Sequence, residues 1–303
     1  IHTHLESWKQ HQKKYVNGNA YVDLNKIQKW CEMIATSILK VKEQIKEFNI
    51  FQQNLCAFEA TFEPIMVREV FDKLNEIYFM FIKSTVIIEE QPKQVIKIGN
   101  KVKTKLRLLV GKGFIDAGQN PEVSVIIVSE ESAHEVAREE NFRVEPCGEL
   151  QNASMAMAEY TSKDYRANFE SLKIKTINRG VRREVANEKF AMIFSATLKI
   201  DGIDVSVKLI SLPIVVIVHV SQETNAMATI IWDSWFSNAE TVTWNNISNM
   251  LSMLFKAETG RALSDENLHF IAEKLFNQEF PYPFPEIFAN DPVTFNTFCH
   301  QRN

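Results

Sequence analysis

The sequence predicts a multi-domain α and β fold, in which an antiparallel helical hairpin or bundle precedes an antiparallel β-sandwich or barrel and a small all-α unit follows. Apolar residues recur at steps of three and four over residues 23–84, alternate in short runs over residues 103–233, and return to helical spacing from residue 243. The chain has 303 residues, of which 45% are hydrophobic and 24% charged. It is therefore long enough for two or three compact units.

Two amphipathic helices are predicted at the start of the chain. The first runs from Asp23 to about Phe48, and the second runs from about Pro64, which suits a first helical turn, to Ser84. Their apolar sides should pair in an antiparallel hairpin. Two further helices are predicted near the end, one from Thr243 to Gly260 and one that begins at Ser264.

Strands are predicted between these helical parts, because short β-rich runs are separated by turn signals such as Asp201-Gly202. A short acidic helix from Glu130 to Glu140, capped by Ser129, interrupts the series. The predicted strands are KTKLRLLV (103–110), VSVIIVS (123–129), ASMAMAEYT (153–161), ANFESLKIKTI (167–177), FAMIFSATLKI (190–200), VSVKLISLPIVVIVHV (205–220) and MATIIWD (227–233).

The sequence carries no recognisable motif for catalysis or metal binding. The nucleophile-elbow, dinucleotide, phosphate-loop and zinc-protease motifs are absent, and the four cysteines are far apart with no CxxC pair. His2 and His4 lack a third metal ligand nearby. We therefore predict no catalytic residue, no metal, no cofactor and no small-molecule substrate. No apolar run reaches the roughly 18–20 residues that span a bilayer, so no membrane association is predicted.

The charge pattern is more informative than the net charge of −4, because any attraction to nucleic acid must come from clustered basic residues. Between Gln91 and Ile115 there are seven basic residues and no acidic one. Four of them alternate from Lys101 through Lys103 and Lys105 to Arg107, which places them on one face of a strand. The pattern alone fits two alternatives equally well: a stripe that follows DNA phosphates, and an edge strand that lysines protect from aggregation.

Two predicted loops carry further candidates. Basic residues cluster around Gly180, and the loops at one end of a β-sandwich can enter a DNA groove. The apolar run at 215–222 ends in His219, Ser221 and Gln222, and His and Gln at a strand end can read base edges. Taken alone, His219 is more often a structural residue. The basic cluster consists of Lys173, Lys175, Arg179, Arg182 and Arg183.

In their order along the chain, these segments resemble the STAT family, the signal transducers and activators of transcription. ESWKQHQ followed by LNKIQKWCEMIA is similar to the later part of the family's coiled-coil domain. IIEEQPKQVIK with KLRLLVGK is similar to the entry of its DNA-binding domain, and NEKFAMIF with SLPIVVIVHVSQETNAMATIIWD to the end of that domain. MLFKAETGRALSDENLHFIAEKLF and TFCHQ are similar to its linker domain. The resemblance implies a coiled-coil domain over residues 1–86, an immunoglobulin-like DNA-binding domain over 87–238 and a helical linker domain over 239–303.

The resemblance also implies which residues contact double-stranded DNA. Lys105 should meet phosphate, as should the neighbourhood of Asn100 and Lys101. His219 stands where many family members have an Asn that reaches the bases, and Gln222 lies in the same contact loop. The remaining candidates are Arg143, Arg179, Arg182, Arg183 and Val185.

Family membership would imply a transcription factor in cytokine-like or growth-factor-like phosphotyrosine signalling, present in cytoplasm and nucleus and bound as a homodimer or related heterodimer to near-palindromic TTC…GAA sites. We expect the chain, which opens on Ile1 and closes on HQRN, to be a fragment that binds DNA weakly and as a monomer. The alternative is a protein-interaction scaffold in which the helical hairpin docks protein partners and the β-module has lost DNA binding. The acidic net charge and His219 motivate that alternative.

Overall fold

Most helices of the computed structural model lie towards the two ends of the chain, and most strands lie between them. The structure describes residues 2–14, 23–56, 65–118, 120–139, 142–161, 164–180, 184–237 and 239–300. The helices are α1 (His2–Lys14), α2 (Leu24–Cys56), α3 (Ile65–Ser84), α4 (Glu130–Arg138), α5 (Glu223–Phe236), α6 (Trp244–Thr259), α7 (Asp265–Phe276) and α8 (Phe295–His300). None of the helices in these ranges is long and apolar enough for a membrane span.

The strands form two main sheets and one small ribbon. They are β1 (Val86–Glu90), β2 (Val95–Lys97), β3 (Lys101–Leu108), β4 (Glu122–Ser129), β5 (Gly148–Gln151), β6 (Ser154–Ala156), β7 (Ala158–Thr161), β8 (Asp164–Ile177), β9 (Lys189–Ile200), β10 (Ile203–Ile210), β11 (Ile214–Ile217), β12 (Thr241–Thr243) and β13 (Pro292–Thr294). The first sheet has the order β1-β3-β8-β5, and β7 also pairs with β8. The second has the order β2-β11-β9-β4-β6, and β10 also pairs with β9.

The two main sheets pack face to face, as predicted for a β-sandwich. Their strand pairs are antiparallel, apart from the parallel pair of β11 and β2. Phe169 of the first sheet contacts Phe194 of the second, with ring centroids 6.0 Å apart. Both rings are buried in the core cluster that continues into α1, α2 and α3. The sandwich and the helices therefore share one hydrophobic core.

The first two long helices pair antiparallel, which confirms the predicted hairpin. Lys42 of α2 lies over the Tyr78 ring of α3, 4.5 Å from its centroid, and Lys46, one turn later in α2, lies 5.7 Å from the earlier Phe71 of α3. Lys42 also bonds Asp201 in the turn between β9 and β10, with 2.6 Å from Nζ to Oδ2. This contact fixes the hairpin to the sandwich.

Helix α1 and strand β1 meet through one buried glutamine. The Gln12 side chain donates to the carbonyl oxygens of Ile88 (3.2 Å) and Glu89 (3.1 Å). Because Gln12 is only 2% exposed, these hydrogen bonds are shielded from water. They hold the end of β1 in place.

The predicted strand over residues 227–233 is wrong, because these residues lie in α5. MATIIWD is rich in residues that favour strands. However, Ala226 and Ile230, four residues apart, both pack against β11 beside Val215 and Ile217. Thr229 is buried as well, and residues three and four apart share one side of a helix but not of a strand. Burial against the sandwich therefore overrides the local preference.

Two other predicted strands are each divided. The run at 153–161 forms β6 and β7, which pair in different sheets. The run at 205–220 forms β10 and β11, with a break at residues 211–213 that includes Pro213. Proline has no N–H to donate to a sheet, so it suits this break.

The predicted helix ends are confirmed at four positions. The Ser129 side chain caps α4, Thr243 caps α6 and Ser264 caps α7, each accepting a hydrogen bond from a backbone N–H of the first turn. Gly260 ends α6 in the left-handed conformation, with φ of 79°. Local side-chain chemistry therefore fixes these ends.

The first residue of β5, Gly148, has no room for a side chain. A Cβ at Gly148 would lie 2.4 Å from the carbonyl oxygen of Thr176 on the neighbouring strand β8. We expect Gly148→Ala to lower the free energy of unfolding by about 1–3 kcal/mol, measured by urea unfolding, because the backbone must shift. Gly113→Ala is the matched control, since nothing lies within 4 Å of the Cβ that it adds. Equal losses in both variants would contradict this explanation.

Candidate nucleic-acid interface

Four connections between elements meet at one end of the sandwich, which we call the loop end. There β2 and β11 end and β9 begins in the second sheet, while β8 ends and β3 and β5 begin in the first. Around the β2–β3 connection, the Ile98 N–H donates to the Ile217 carbonyl (2.9 Å) and the Gly99 N–H to the Ile174 carbonyl (3.0 Å). The loop end comprises residues 98–100, 142–147, 178–188 and 218–222, as far as they are described.

Strand β3 presents its predicted phosphate-binding lysines to a cleft of about 670 Å³ beside the loop end. β8 borders β3 along most of its length, whereas β1 borders it only from Lys105 to Leu108. The second half of β3 is therefore an interior part of the sheet, and the edge-strand alternative does not apply there. The basic and polar residues that line the cleft include Lys93, Lys97, Asn100, Lys101, Lys103 and Lys105.

Lys105 is a cation with an acidic neighbour. Its Nζ lies 2.6 Å from Oε2 of Glu90. The hydrogen bond that Lys105 donates to Glu90 is the largest influence on the pKa of Lys105 and raises it above its ordinary value, although burial acts in the opposite direction. Lys105 therefore stays charged at neutral pH. Lys103 has a similar but more exposed partner in Glu170, at 3.2 Å.

Arg107 does not lie on the exposed face that its alternation with the lysines predicts. It is only 2% exposed. Its guanidinium donates to Glu89 (3.1 Å) and Asp164 (2.7 Å) in the first sheet, and to Asn25 (2.9 Å) and Gln28 of α2. Arg107 therefore ties β3 to the helical hairpin, and the row of cations open to a DNA backbone ends at Lys105.

His219 and Gln222 lie in the connection between β11 and α5. His219 is exposed and precedes a short 3-10 helix (Val220–Gln222). The Gln222 Oε1 accepts hydrogen bonds from the backbone N–H groups of Val218 (3.0 Å) and His219 (2.9 Å). Gln222 thus shapes the loop with its oxygen, and the loop places the His219 imidazole at the surface.

Arg179 is held inside the loop end rather than presented to solvent. Its Nη1 lies 3.1 Å from Oε2 of Glu188, its Nη2 donates to the Val216 carbonyl at 2.5 Å, and its guanidinium lies over the Phe190 ring. The Glu188 side chain is 6% exposed and also accepts from the Gly180 N–H at 2.7 Å. These contacts hold Arg179 within the loop end, and its contact with DNA stays a prediction.

Models for three domains of one protein family match this chain. The coiled-coil domain of "STAT transcription factor" matches residues 1–76, the DNA binding domain of "STAT protein" matches 90–217, and the linker domain of "Signal transducer and activator of transcription" matches 233–303. The chain belongs to the STAT family. This confirms the resemblance and the predicted order of a helical region, a β-sandwich and a helical linker. The STAT family is one of transcription factors, not of enzymes.

A curated STAT relative supports the same assignment. "Signal transducer and transcription activator" of Anopheles gambiae is 32% identical over 295 residues, which cover 93% of this chain and 40% of the relative. The chain thus spans about two-fifths of the length of that STAT protein. The boundaries that we place at residues 86 and 238 remain proposals.

The remaining STAT contact candidates are placed at or beside the loop end. Asn100 and Lys101 are exposed where β3 begins, and Arg143 is exposed in the segment that leads to β5. Val185 is half-buried in the turn before β9. Arg182 and Arg183 lie outside the described residues. Contact of any of these residues with DNA stays a prediction.

Sequence reasoning missed an ion cluster behind the loop end of this STAT chain. Lys189, the first residue of β9, lies 2.5 Å from Oε1 of Glu130 in α4 and 3.0 Å from Oδ1 of Asp233 in α5. Lys189 is 7% exposed. Its partners are about 60 residues before it and 44 residues after it, so no local pattern signals the cluster. It braces β9 between two helices.

The described cysteines do not suggest redox or metal chemistry. Cys31, Cys147 and Cys299 are free, and burial raises the pKa of the Cys147 thiol to about 11. Within the described ranges, no group of three or more His, Cys, Asp or Glu side chains could hold a metal ion.

Proposed function

We propose that this chain binds double-stranded DNA sequence-specifically, as the DNA-binding part of a STAT transcription factor. The observation that carries the proposal is the position of the exposed His219 loop at the same end of the sandwich as the lysine-lined cleft. A basic cleft attracts the DNA backbone, and polar side chains on an adjacent loop read base edges. No catalytic residue, cofactor or small-molecule substrate has a part in this function.

The lysine-lined cleft and the His219 loop would have different roles, because their side chains differ in chemistry. Lys101 and Lys105 would contact phosphates, which supplies affinity without sequence preference. Asn100 would support them by hydrogen bonding. His219 and the amide nitrogen of Gln222 would face the bases, because the Gln222 oxygen is occupied within its loop. Val185 would add apolar contact from the neighbouring turn.

Family membership supports a wider proposal for the intact protein. It would act in phosphotyrosine signalling, move between cytoplasm and nucleus, and bind near-palindromic TTC…GAA sites as a homodimer or as a heterodimer with a related subunit. A two-fold dimer matches a palindromic site because each subunit reads one half-site. A monomer of this chain would therefore bind such a site weakly.

Exposed apolar residues on the helical hairpin favour the second candidate, a protein-interaction scaffold. Such residues on α2 and α3 are rarely left open to water over a large surface, so we expect protein partners on this hairpin. Binding of partners there is compatible with DNA binding by the sandwich. The exposed residues include Met33, Phe48, Phe51, Ile77 and Met80.

Salt-titrated binding distinguishes the two functions. The chain is titrated with a duplex that contains TTC…GAA and with a scrambled duplex, from about 50 to 200 mM salt. We expect tighter binding to the first duplex and a steep loss of affinity for both as salt rises. Equal affinity for the two duplexes at low salt would favour the scaffold.

The variant Lys105→Gln tests the phosphate assignment. Removing one phosphate contact should weaken binding to both duplexes similarly. It should also lower the slope of log K against log salt by about one unit. The matched control is Lys199→Gln, because Lys199 lies near the opposite end of β9 from the loop end. An affinity of Lys105→Gln equal to that of the unchanged protein would show that the assignment is wrong.

A further inference from the structure

A bulge in β1 brings two carboxylates to the lysine-bearing face of β3, which we call the basic face. Ile88 pairs with Leu106, and the next pair is Glu90 with Lys105, so Glu89 is an extra residue in β1. In a regular strand Glu89 and Glu90 would point to opposite faces. Here Glu89 bonds Arg107 and Glu90 bonds Lys105.

The position of Glu90 is fixed from two directions. The buried Thr104 hydroxyl donates to the Glu90 carbonyl oxygen at 2.8 Å. Gln12 holds the preceding residue, Glu89, through its carbonyl oxygen. The Glu90 carboxylate is thereby kept beside Lys105, although both side chains are more than one-third exposed.

Exposed ion pairs of this kind contribute little to stability. The effect of Glu90 on phosphate binding is larger than its effect on stability, because the Glu90 carboxylate lies within hydrogen-bonding distance of the Lys105 ammonium group that a phosphate would bind. A phosphate at Lys105 must displace Glu90 or share the ammonium group with it. In either case the carboxylate repels the approaching anion.

We propose that Glu90 limits the affinity of the basic face for the DNA backbone by acting as an internal substitute for phosphate on Lys105. This inference rests on the proposed DNA-binding function and deepens it. Contacts with the DNA backbone carry no sequence information, so discrimination between DNA sequences depends on the loop around His219. Glu90 therefore lowers the absolute affinity for DNA and does not change the preference for one sequence over another.

The test is Glu90→Gln, which keeps the side-chain size and removes the charge. Affinity is measured for the TTC…GAA duplex and for the scrambled duplex at about 50 mM salt. We expect both affinities to rise by about threefold to tenfold, the size of one unscreened charge contact in water. The ratio between the two duplexes should stay the same.

The control for net charge is Glu159→Gln. Glu159 is also exposed and also faces a lysine, Lys112, at 4.0 Å, but this pair lies beyond the far end of β3. The second control is Glu90→Gln combined with Lys105→Gln, where the gain should disappear if it acts through Lys105. Thermal unfolding of each variant verifies that the fold is kept.

The possible outcomes distinguish a failure of the inference about Glu90 from a failure of the proposed DNA-binding function. A gain for Glu90→Gln alone that is lost with Lys105→Gln supports the inference. No gain, an equal gain for Glu159→Gln, or a gain that persists without Lys105 overturns it while DNA binding stands. If neither the unchanged chain nor Glu90→Gln binds any duplex at low salt, the proposed function itself fails.

Discussion

Replacing Arg107 with alanine should lower the free energy of unfolding by about 3–5 kcal/mol. Arg107 is 2% exposed, and its guanidinium neutralises Glu89 and Asp164, which are 19% and 18% exposed. Alanine would leave both carboxylates without this partner at the contact with α2. Arg166 pairs with both carboxylates as well, so the loss comes from removing half of a largely buried ion network together with the hydrogen bonds to α2.

Urea unfolding of Arg107→Ala measures this loss. Arg138→Ala is the matched control, because Arg138 also pairs with a glutamate, Glu135 at 3.2 Å, but its side chain is 78% exposed. The control should change stability by less than about 1 kcal/mol. Similar losses for the two arginines would mean that Arg107 has no special role in joining the hairpin to the sandwich.

Glu188→Ala should have the second large effect, a loss of about 3–5 kcal/mol together with a loss of sequence preference. Glu188 accepts hydrogen bonds from Arg179 and from the Gly180 N–H, and Arg179 in turn bonds the Val216 carbonyl. Without Glu188, the turn that contains Val185 loses its link to the end of β11.

The two consequences are measured separately. Urea unfolding gives the stability, and the affinity ratio of the TTC…GAA and scrambled duplexes gives the preference. Glu188→Gln retains the acceptor oxygen for Gly180, so it should recover more of the affinity ratio than Glu188→Ala does. Glu135→Ala serves as the exposed control. An unchanged ratio in a folded Glu188→Ala protein would show that the pair does not position the loop.

Local patterns predicted most of the fold of this STAT chain. Period-two spacing located most strands of the sandwich, though not β1, β2 or β5, and period-3.6 spacing located the long helices. The caps at Ser129, Thr243 and Ser264 act within one helical turn, so a single sequence displays them. Helix α5 was missed because β11 decides its conformation, and nothing within residues 227–233 displays that contact.

The site was predictable in outline but not in its charge pairs. Lysine alternation indicated the face of β3, and the order of the loops follows from the strand order. The burial of Arg107 depends on α2, about 80 residues earlier, and that of Arg179 depends on Glu188 and Val216. Such distant partners decide whether an arginine faces DNA or the interior, and spacing along the chain does not reveal them.

The ion pair between Lys42 and Asp201 crosses the domain boundary that we propose at residue 86. A β-domain excised at that point would lose the partner of Asp201, the α2 side chains around Arg107 and the Gln12 clamp on β1. The sandwich is therefore not an interchangeable module. A chimera that exchanges the sandwich with its loop end between relatives must therefore include α1 and α2. Otherwise it must replace all three of these contacts.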